Sequence, residues 1–200
     1  MKKKRINPNP FFIIITGTPG TGKTTISKLL SEDLGLKHIE LTRLASDYGL
    51  IIEKDLQRQT DVVDIWRLFD LIKKMVKKED TPVILDGHFA HEYITAEYYV
   101  LVLVLRRAPW SLYNTLKNRG YSKEKIWENI ESEIMGICSK EARENYDNIC
   151  EIDTTQQTVE VTVEKIKKII EGKDSCSERR IDWLVNEKTL DLLKDRGKCI

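Results

Sequence analysis

The feature that most constrains this chain is the run Gly17–Thr24, which matches the pattern G-x-x-x-x-G-K-S/T at every position. Before it, Phe11–Thr16 is short, continuously apolar and rich in β-branched residues, which predicts a buried strand. After it, Thr25–Leu34 places its apolar residues on one helical face. A strand, a glycine loop and a helix in this order predict a phosphate loop that binds a nucleoside triphosphate.

The residues of this loop have separate expected roles. The glycines let successive backbone N–H groups point inward at phosphate oxygens, and the N-terminus of the helix adds a positive partial charge. Lys23 is expected to reach the β- and γ-phosphates, and the Thr24 hydroxyl is expected to ligate Mg²⁺.

The composition is that of one globular domain of 200 residues, with room for a small appendage. Apolar residues make up 40% of the chain and charged residues 32%, which excludes a disordered protein. The net charge of +1 gives no overall field that would attract nucleic acid.

The cysteines are scattered and form no C-x-x-C pair, which predicts neither a zinc site nor a disulfide framework. This usage suits a reducing cytoplasm. The four residues are Cys138, Cys150, Cys176 and Cys199.

The basic start of the chain, followed by an apolar run, resembles a secretion signal only superficially. The apolar run Phe11–Ile15 is shorter than such a signal needs, and cleavage there would destroy the phosphate loop. No stretch approaches the roughly 20 apolar residues of a membrane span. We therefore expect a cytoplasmic protein with no membrane contact.

Strand and helix patterns alternate along the chain. Residues 50–60 have no clean period and suggest a mobile connection, whereas 98–105 is the most apolar strand and is expected at the centre of a sheet. This alternation predicts an α/β fold with a doubly wound parallel sheet and helices on both faces. The other predicted strands are 37–41, 82–86 and 150–153, and the other predicted helices are 42–48, 62–78, 109–116, 123–146 and 159–170.

A second chemical signal is Asp86, which ends the apolar strand 82–86. An acid at this point of a phosphate-loop enzyme is the Walker B carboxylate, which holds Mg²⁺ or a magnesium-bound water opposite Thr24. His88 follows two residues later. It is either a polar loop residue or a group that acts beside the γ-phosphate or an attacking water.

Phosphoryl transfer also needs positive charge near the oxygens that gain charge in the transition state. Arg119 precedes a glycine in a polar break between two predicted helices, where a closing lid would lie. Arg106 and Arg107 follow the apolar strand, at the sheet edge where ligands bind in such folds. Arg43 lies after the second strand, where an acceptor would dock.

Taken together, these motifs resemble the adenylate kinase isoenzyme 6 family, over roughly residues 10 to 170. No single motif is specific, but the set is. The matching stretches are Thr16–Thr25, Gly35–Lys37, Asp86-x-His88, Val104–Arg106, Arg119–Tyr121, Asn129–Ile130 and Glu133–Ile134.

The resemblance implies a P-loop NTPase fold with a five-stranded sheet, a mobile monophosphate flap at about 40–63 and a mobile lid at about 118–128. It implies a kinase domain over 1–172 and leaves 173–200 as a C-terminal helical extension. It also implies a Mg²⁺-dependent, broad-specificity nucleoside monophosphate kinase that hydrolyses ATP and binds a small ribosomal subunit protein on a pre-ribosomal particle. ATP would contact Gly20, Gly22, Lys23, Thr24, Thr25 and Arg119, and catalysis would involve Lys23, Asp86, His88 and Arg119.

The acceptor site departs from the resemblance. Family members carry Gly-Asp-Leu-Ala-Arg after the second strand, whereas this chain has Thr42–Ser46, so the expected arginine is missing. Arg43 and Arg106 are the candidate replacements. Three interpretations stay open from the sequence: a nucleoside monophosphate kinase, a ribosome assembly ATPase with incidental kinase activity, and a kinase for another small acceptor.

Overall fold

The computed structural model describes residues 12–55, 60–93, 100–147, 149–176 and 180–197. It contains a five-stranded parallel sheet and a separate antiparallel pair of strands. In chain order the strands are β1 (Phe12–Thr16), β2 (Lys37–Glu40), β3 (Ile51–Asp55), β4 (Thr60–Val63), β5 (Val83–Asp86), β6 (Val100–Arg106) and β7 (Ile149–Asp153).

Eight α-helices of the described residues surround this sheet. They are α1 (Lys23–Leu34), α2 (Leu41–Asp47), α3 (Ile65–Val76), α4 (Pro109–Asn118), α5 (Lys123–Met135), α6 (Ile137–Asn145), α7 (Val159–Ile170) and α8 (Glu187–Gly197).

The order of strands across the sheet is β2-β5-β1-β6-β7. Strand β1 is fully buried, and alternate side chains serve two cores: Ile13 and Ile15 pack with α1 and α7, while Phe12 and Ile14 pack with α2 and α3. The predicted doubly wound fold is therefore confirmed. The strand at its centre is β1, however, and β6 lies one position away, because β7 pairs with the other side of β6.

Two predicted elements differ from the structure. Among the described residues of the connection predicted at 50–60, Ile51–Asp55 and Thr60 belong to strands β3 and β4, whose antiparallel pair (the β3–β4 hairpin) the sequence did not predict. Most of the β3 side chains are exposed, so the hairpin lacks the apolar alternation that marks a strand. The helix predicted over 123–146 is two helices, since Gly136 adopts a left-handed φ of 62° and ends α5.

Other boundaries moved by a few residues. Helix α3 begins three residues later than predicted, because the Asp64 side chain accepts a hydrogen bond from the Arg67 N–H and caps it. Pro109 opens α4 at the first helical turn, as predicted. The predicted strand residues Phe11, Tyr98 and Tyr99, and residues 56–59 of the predicted connection, lie outside the described residues.

The C-terminal segment packs back on the main domain. Trp183 is buried against Trp110 with 6.0 Å between ring centroids, and α8 contacts α4. Cys150 and Cys176 form a disulfide, contrary to the expectation from their spacing, because β7 and the chain after α7 bring them together. Cys199 lies outside the described residues. Within the ranges given above, none of the helices has the length and apolar character that a bilayer crossing requires.

Candidate active site

The loop between β1 and α1 has the backbone that the glycine pattern predicts. Gly17 and Gly20 adopt φ values of 138° and 93°. A Cβ atom at Gly17 would collide with the carbonyl oxygen of Leu105, and one at Gly20 would lie 2.7 Å from Cδ1 of Leu112. No described side chain caps the N-terminus of α1 at Gly22, so its first N–H groups are available to an anion.

Lys23 lies across this loop. Its Nζ donates hydrogen bonds to the carbonyl oxygens of Gly17 at 2.7 Å and Thr18 at 3.1 Å. Burial lowers the pKa of Lys23, while the nearby carboxylates of Asp86 and Glu133 act in the opposite direction. The ammonium group is thus held at the phosphate loop by two backbone carbonyl oxygens.

Asp86 meets Thr24 at the end of β5, as the sequence predicts. The Thr24 hydroxyl donates to Oδ1 of Asp86 at 3.4 Å, and the carboxylate is 1% exposed. Its other oxygen, Oδ2, lies 3.0 Å from Nε2 of His38 on β2. His38 was missed from the sequence, because its approach to Asp86 depends on β2 pairing with β5.

These groups open into one cavity of about 760 Å³. The phosphate loop forms one wall, and the hairpin, the α4–α5 corner and α6 form the others. Arg119 is the C-cap residue of α4, and it lines the same cavity as Lys23 and Lys125. All the residues that the sequence assigns to ATP line this cavity: Gly20, Gly22, Lys23, Thr24, Thr25 and Arg119.

His88 lies on the cavity wall with its ring edge-on to Phe89, at 4.8 Å between centroids. Desolvation, and then the positive charge of Lys23, lower the pKa of His88 to about 4. The imidazole is therefore neutral at pH 7. It can offer a hydrogen bond at the cavity but no positive charge.

The two arginines suggested for acceptor binding are not brought to the cavity. Arg43 on α2 is exposed and pairs with Asp47, one turn away, at 3.6 Å. Arg106 is 2% exposed and forms ion pairs with Glu133 at 2.8 Å and Glu151 at 3.1 Å. Its place at a sheet edge suggested a ligand contact, but the side chain turns into the protein to meet these carboxylates.

Several acidic side chains line the cavity together with the cations Lys23, Arg119 and Lys125. Buried His91 lies between the Thr16 hydroxyl, at 2.8 Å, and Oε2 of Glu141, at 3.0 Å. Desolvation raises the pKa of Glu92 beside this pair. The acids that line the cavity, besides Asp86, are Glu40, Asp61, Glu92, Glu128 and Glu141.

A family model described as "AAA domain" matches residues 13–136 of the chain. A Saccharolobus solfataricus protein described as "Putative adenylate kinase" is 40% identical over 196 residues, covering 94% of this chain and 95% of its own. A Methanocaldococcus jannaschii protein of the same description is 40% identical over 183 residues, covering 90% and 96%.

Solved structures share the fold at low identity. Shikimate kinase from Acinetobacter baumannii, in complex with shikimate, superposes with a TM-score of 0.56 at 16% identity, covering 84% of this chain and 96% of its own. A gluconokinase from Sinorhizobium meliloti gives a TM-score of 0.52 at 13% identity, covering 86% and 100%. These likenesses show a common architecture.

Proposed function

The chain belongs to the family of adenylate kinase-like proteins represented by the Saccharolobus and Methanocaldococcus relatives, and we propose that it transfers the γ-phosphoryl group of ATP to AMP or a related nucleoside monophosphate. The observation that carries this proposal is the shared cavity. It joins the phosphate loop, the Thr24–Asp86 pair and Arg119, which are the parts that phosphoryl transfer needs.

Each part has a role in the transfer. Backbone N–H groups of the loop and the N-terminus of α1 bind the β- and γ-phosphates. Lys23 leaves the carbonyl oxygens of Gly17 and Thr18 for the phosphates, and Arg119 approaches from the other wall. Both cations then stabilise the charge that develops on the transferred group.

The residues present fit Mg²⁺. The Thr24 hydroxyl and one Asp86 oxygen are hard oxygen donors that face each other, and His38 fixes the second Asp86 oxygen. Among the described residues, no group of three or more His, Cys, Asp or Glu can hold a metal. Mg²⁺ needs no such cage, because it keeps waters and phosphate oxygens as ligands. Bound with ATP, it would neutralise charge on the β- and γ-oxygens.

A phosphate acceptor is already anionic, so the transfer needs no general base. A neutral His88 is compatible with this chemistry, since it adds no charge to the reacting group. We propose that the flap at 40–63 and the lid at 118–128 close over the cavity and exclude water.

The test measures AMP-dependent ADP formation beside AMP-independent phosphate release, on the full-length protein with Mg²⁺ and ATP. We expect the rate of AMP-dependent ADP formation to exceed the rate of AMP-independent phosphate release by at least about tenfold. If a full AMP concentration series gives no stimulation, while ATP still binds, the proposal of AMP as acceptor is wrong. Phosphate release without AMP would then favour an ATPase.

A second candidate acceptor follows from the acidic residues of the cavity. Glu40, Asp61, Glu92 and Glu141 line the cavity, and an anionic acceptor would be repelled by them. An acceptor with hydroxyl or amino donors would be attracted instead. A panel that compares AMP, GMP, CMP and UMP with nucleosides and small polyols distinguishes the two, and preference for an uncharged acceptor would favour the second.

From the sequence resemblance alone we also propose broad monophosphate specificity, ATP hydrolysis, transient binding to a small ribosomal subunit protein, and a cytoplasmic location. A pull-down with small-subunit proteins, with and without ATP, tests the partner. We expect capture by the wild type to depend on the nucleotide, and capture by a Lys23→Ala variant to be the same in both conditions. Equal capture by the wild type with and without ATP would contradict that dependence.

A further inference from the structure

Glu133 is a buried carboxylate on α5 that sits behind the phosphate loop. It is 1% exposed, and its carboxylate accepts four hydrogen bonds from three separate parts of the chain. Oε2 accepts from the Thr18 hydroxyl at 2.6 Å, and Oε1 accepts from Nε of Arg106 at 2.8 Å. Oε1 also accepts from the Arg107 backbone N–H at 3.1 Å and from Nε1 of Trp183 at 2.9 Å.

Two of these donors connect Glu133 to the C-terminal segment. Trp183 is 7% exposed and bonds Glu133 directly. Arg106 reaches the same segment through the carbonyl oxygen of Ile181, at 3.3 Å, and the Ile181 N–H donates to Glu151 at 2.9 Å. The segment therefore completes a buried charged network and does not merely cover an apolar surface.

The other end of this network is the phosphate loop itself. The Thr18 hydroxyl donates a hydrogen bond to Glu133, while the Thr18 carbonyl oxygen accepts from Nζ of Lys23 at 3.1 Å and from the Thr21 hydroxyl at 2.9 Å. One carboxylate and one threonine thus separate the Trp183 indole from the ammonium group of Lys23.

We propose that Glu133 and Trp183 are positioning residues for the nucleotide, and that the C-terminal segment 180–197 sets the shape of the phosphate loop through the relay Trp183–Glu133–Thr18. This inference rests on the proposed binding of ATP at that loop. A buried carboxylate that loses a donor must turn to another partner or admit water. The Thr18 bond then weakens, and the loop spends less time in the conformation that binds phosphate.

The first test replaces Trp183 by phenylalanine in the full-length protein. This change keeps an aromatic ring against Trp110 and removes the N–H that bonds Glu133. We expect ATP to bind 3- to 10-fold more weakly by titration calorimetry, with kcat at saturating ATP within twofold of wild type. Trp110→Phe is the matched control, since it alters the same aromatic pair without touching Glu133, and it should change ATP affinity less than twofold.

The second test approaches the relay from its other end. Thr18→Val removes the hydroxyl at nearly constant volume, and Thr18→Ser keeps it. We expect Thr18→Val to weaken ATP binding and Thr18→Ser to retain most of the wild-type affinity. The double variant Thr18→Val/Trp183→Phe should bind ATP as tightly as whichever single variant binds it more weakly, because both changes break the same relay.

Three results would overturn the inference: unchanged ATP affinity in Trp183→Phe, an equal loss in Trp110→Phe, or additive losses in the double variant. Each of these is distinct from failure of the proposed function. If the wild type does not bind ATP at all, the proposed function is wrong. If the wild type binds ATP strongly and any of the three results is found, only the proposed relay is contradicted.

Discussion

The two halves of the cavity are built differently. On the donor side, Lys23, Thr24 and Asp86 come from the ends of a helix and a buried strand, and each holds a partner already. On the proposed acceptor side, Thr42 of α2 and Asp61 of the β3–β4 hairpin line the cavity, while Arg43 on α2 is exposed and does not line it. The proposed donor half is held by hydrogen bonds among its own residues, whereas the proposed acceptor half lies on an antiparallel pair of strands and a short helix.

This difference follows from what each half must do. The polyphosphate of ATP makes the same demands in every enzyme of this architecture, so a preorganised loop binds it best. An acceptor must enter and leave, and its pocket completes only when mobile elements close. Changes on the donor side should therefore have large, specific effects, and single changes on the acceptor side should have small ones.

Lys23→Ala should have the largest effect. Removing an ammonium group aimed at charge in the transition state costs roughly 100- to 1,000-fold in kcat, by analogy with other electrostatic stabilisers. Steady-state kinetics and ATP titration measure it. Lys28→Ala is the control, because Lys28 lies on the same helix with its side chain exposed, and it should leave both values within twofold.

Unchanged ATP affinity and turnover in Lys23→Ala would overturn the site assignment altogether. The donor half would then not be preorganised for phosphate, and the two halves of the cavity would no longer differ in this respect.

His38→Ala should have the next largest effect. His38 holds one oxygen of Asp86 at 3.0 Å, and groups that orient a metal-ligating carboxylate typically contribute 10- to 100-fold in metal affinity. We expect the Mg²⁺ concentration for half-maximal activity to rise by about tenfold, with ATP affinity in the absence of metal unchanged. Lys37→Ala on the same strand is the control, since Lys37 pairs with Glu79 at the surface. An equal shift in both variants would show a general disturbance of β2.

The donor half could be predicted from the sequence because its signals are local. The glycine positions, Lys23 and Thr24 lie within eight consecutive residues, between segments whose apolar patterns identify a strand and a helix. Asp86 could be predicted from its position at the end of one apolar strand. The five-stranded sheet followed from the alternation of such strands with helices.

The rest could not be predicted, because it depends on contacts between distant residues. His38 meets Asp86 only through the pairing of β2 with β5, and Arg106 turns inward only because Glu133 and Glu151 lie behind β6. The disulfide of Cys150 requires the chain to return to β7 after α7. No pattern in the neighbouring residues signals any of these pairings.

The pH dependence of stability tests the environment of His88 at the cavity. Its pKa is about 4 in the folded protein against an ordinary 6.5, so the unfolded chain takes up the proton first as the pH falls. The stabilisation is complete above pH 6.5 and is lost as the pH falls towards 4. We expect urea unfolding midpoints of the wild type to fall more than those of His88→Gln between pH 7 and pH 4. Parallel curves would show that His88 titrates normally in the folded state.

Arg43→Ala should have the smallest effect. Its pair with Asp47 spans 3.6 Å at the surface, and exposed pairs of this kind contribute only about 0.3–0.5 kcal/mol. We expect the KM for AMP to change less than twofold and the unfolding midpoint to stay the same. A tenfold rise in that KM, with ATP affinity unchanged, would mean that α2 and the hairpin move far enough to bring Arg43 to the acceptor. The acceptor half would then form only when α2 and the hairpin close over the cavity, and Arg43 would replace the arginine that is missing after β2.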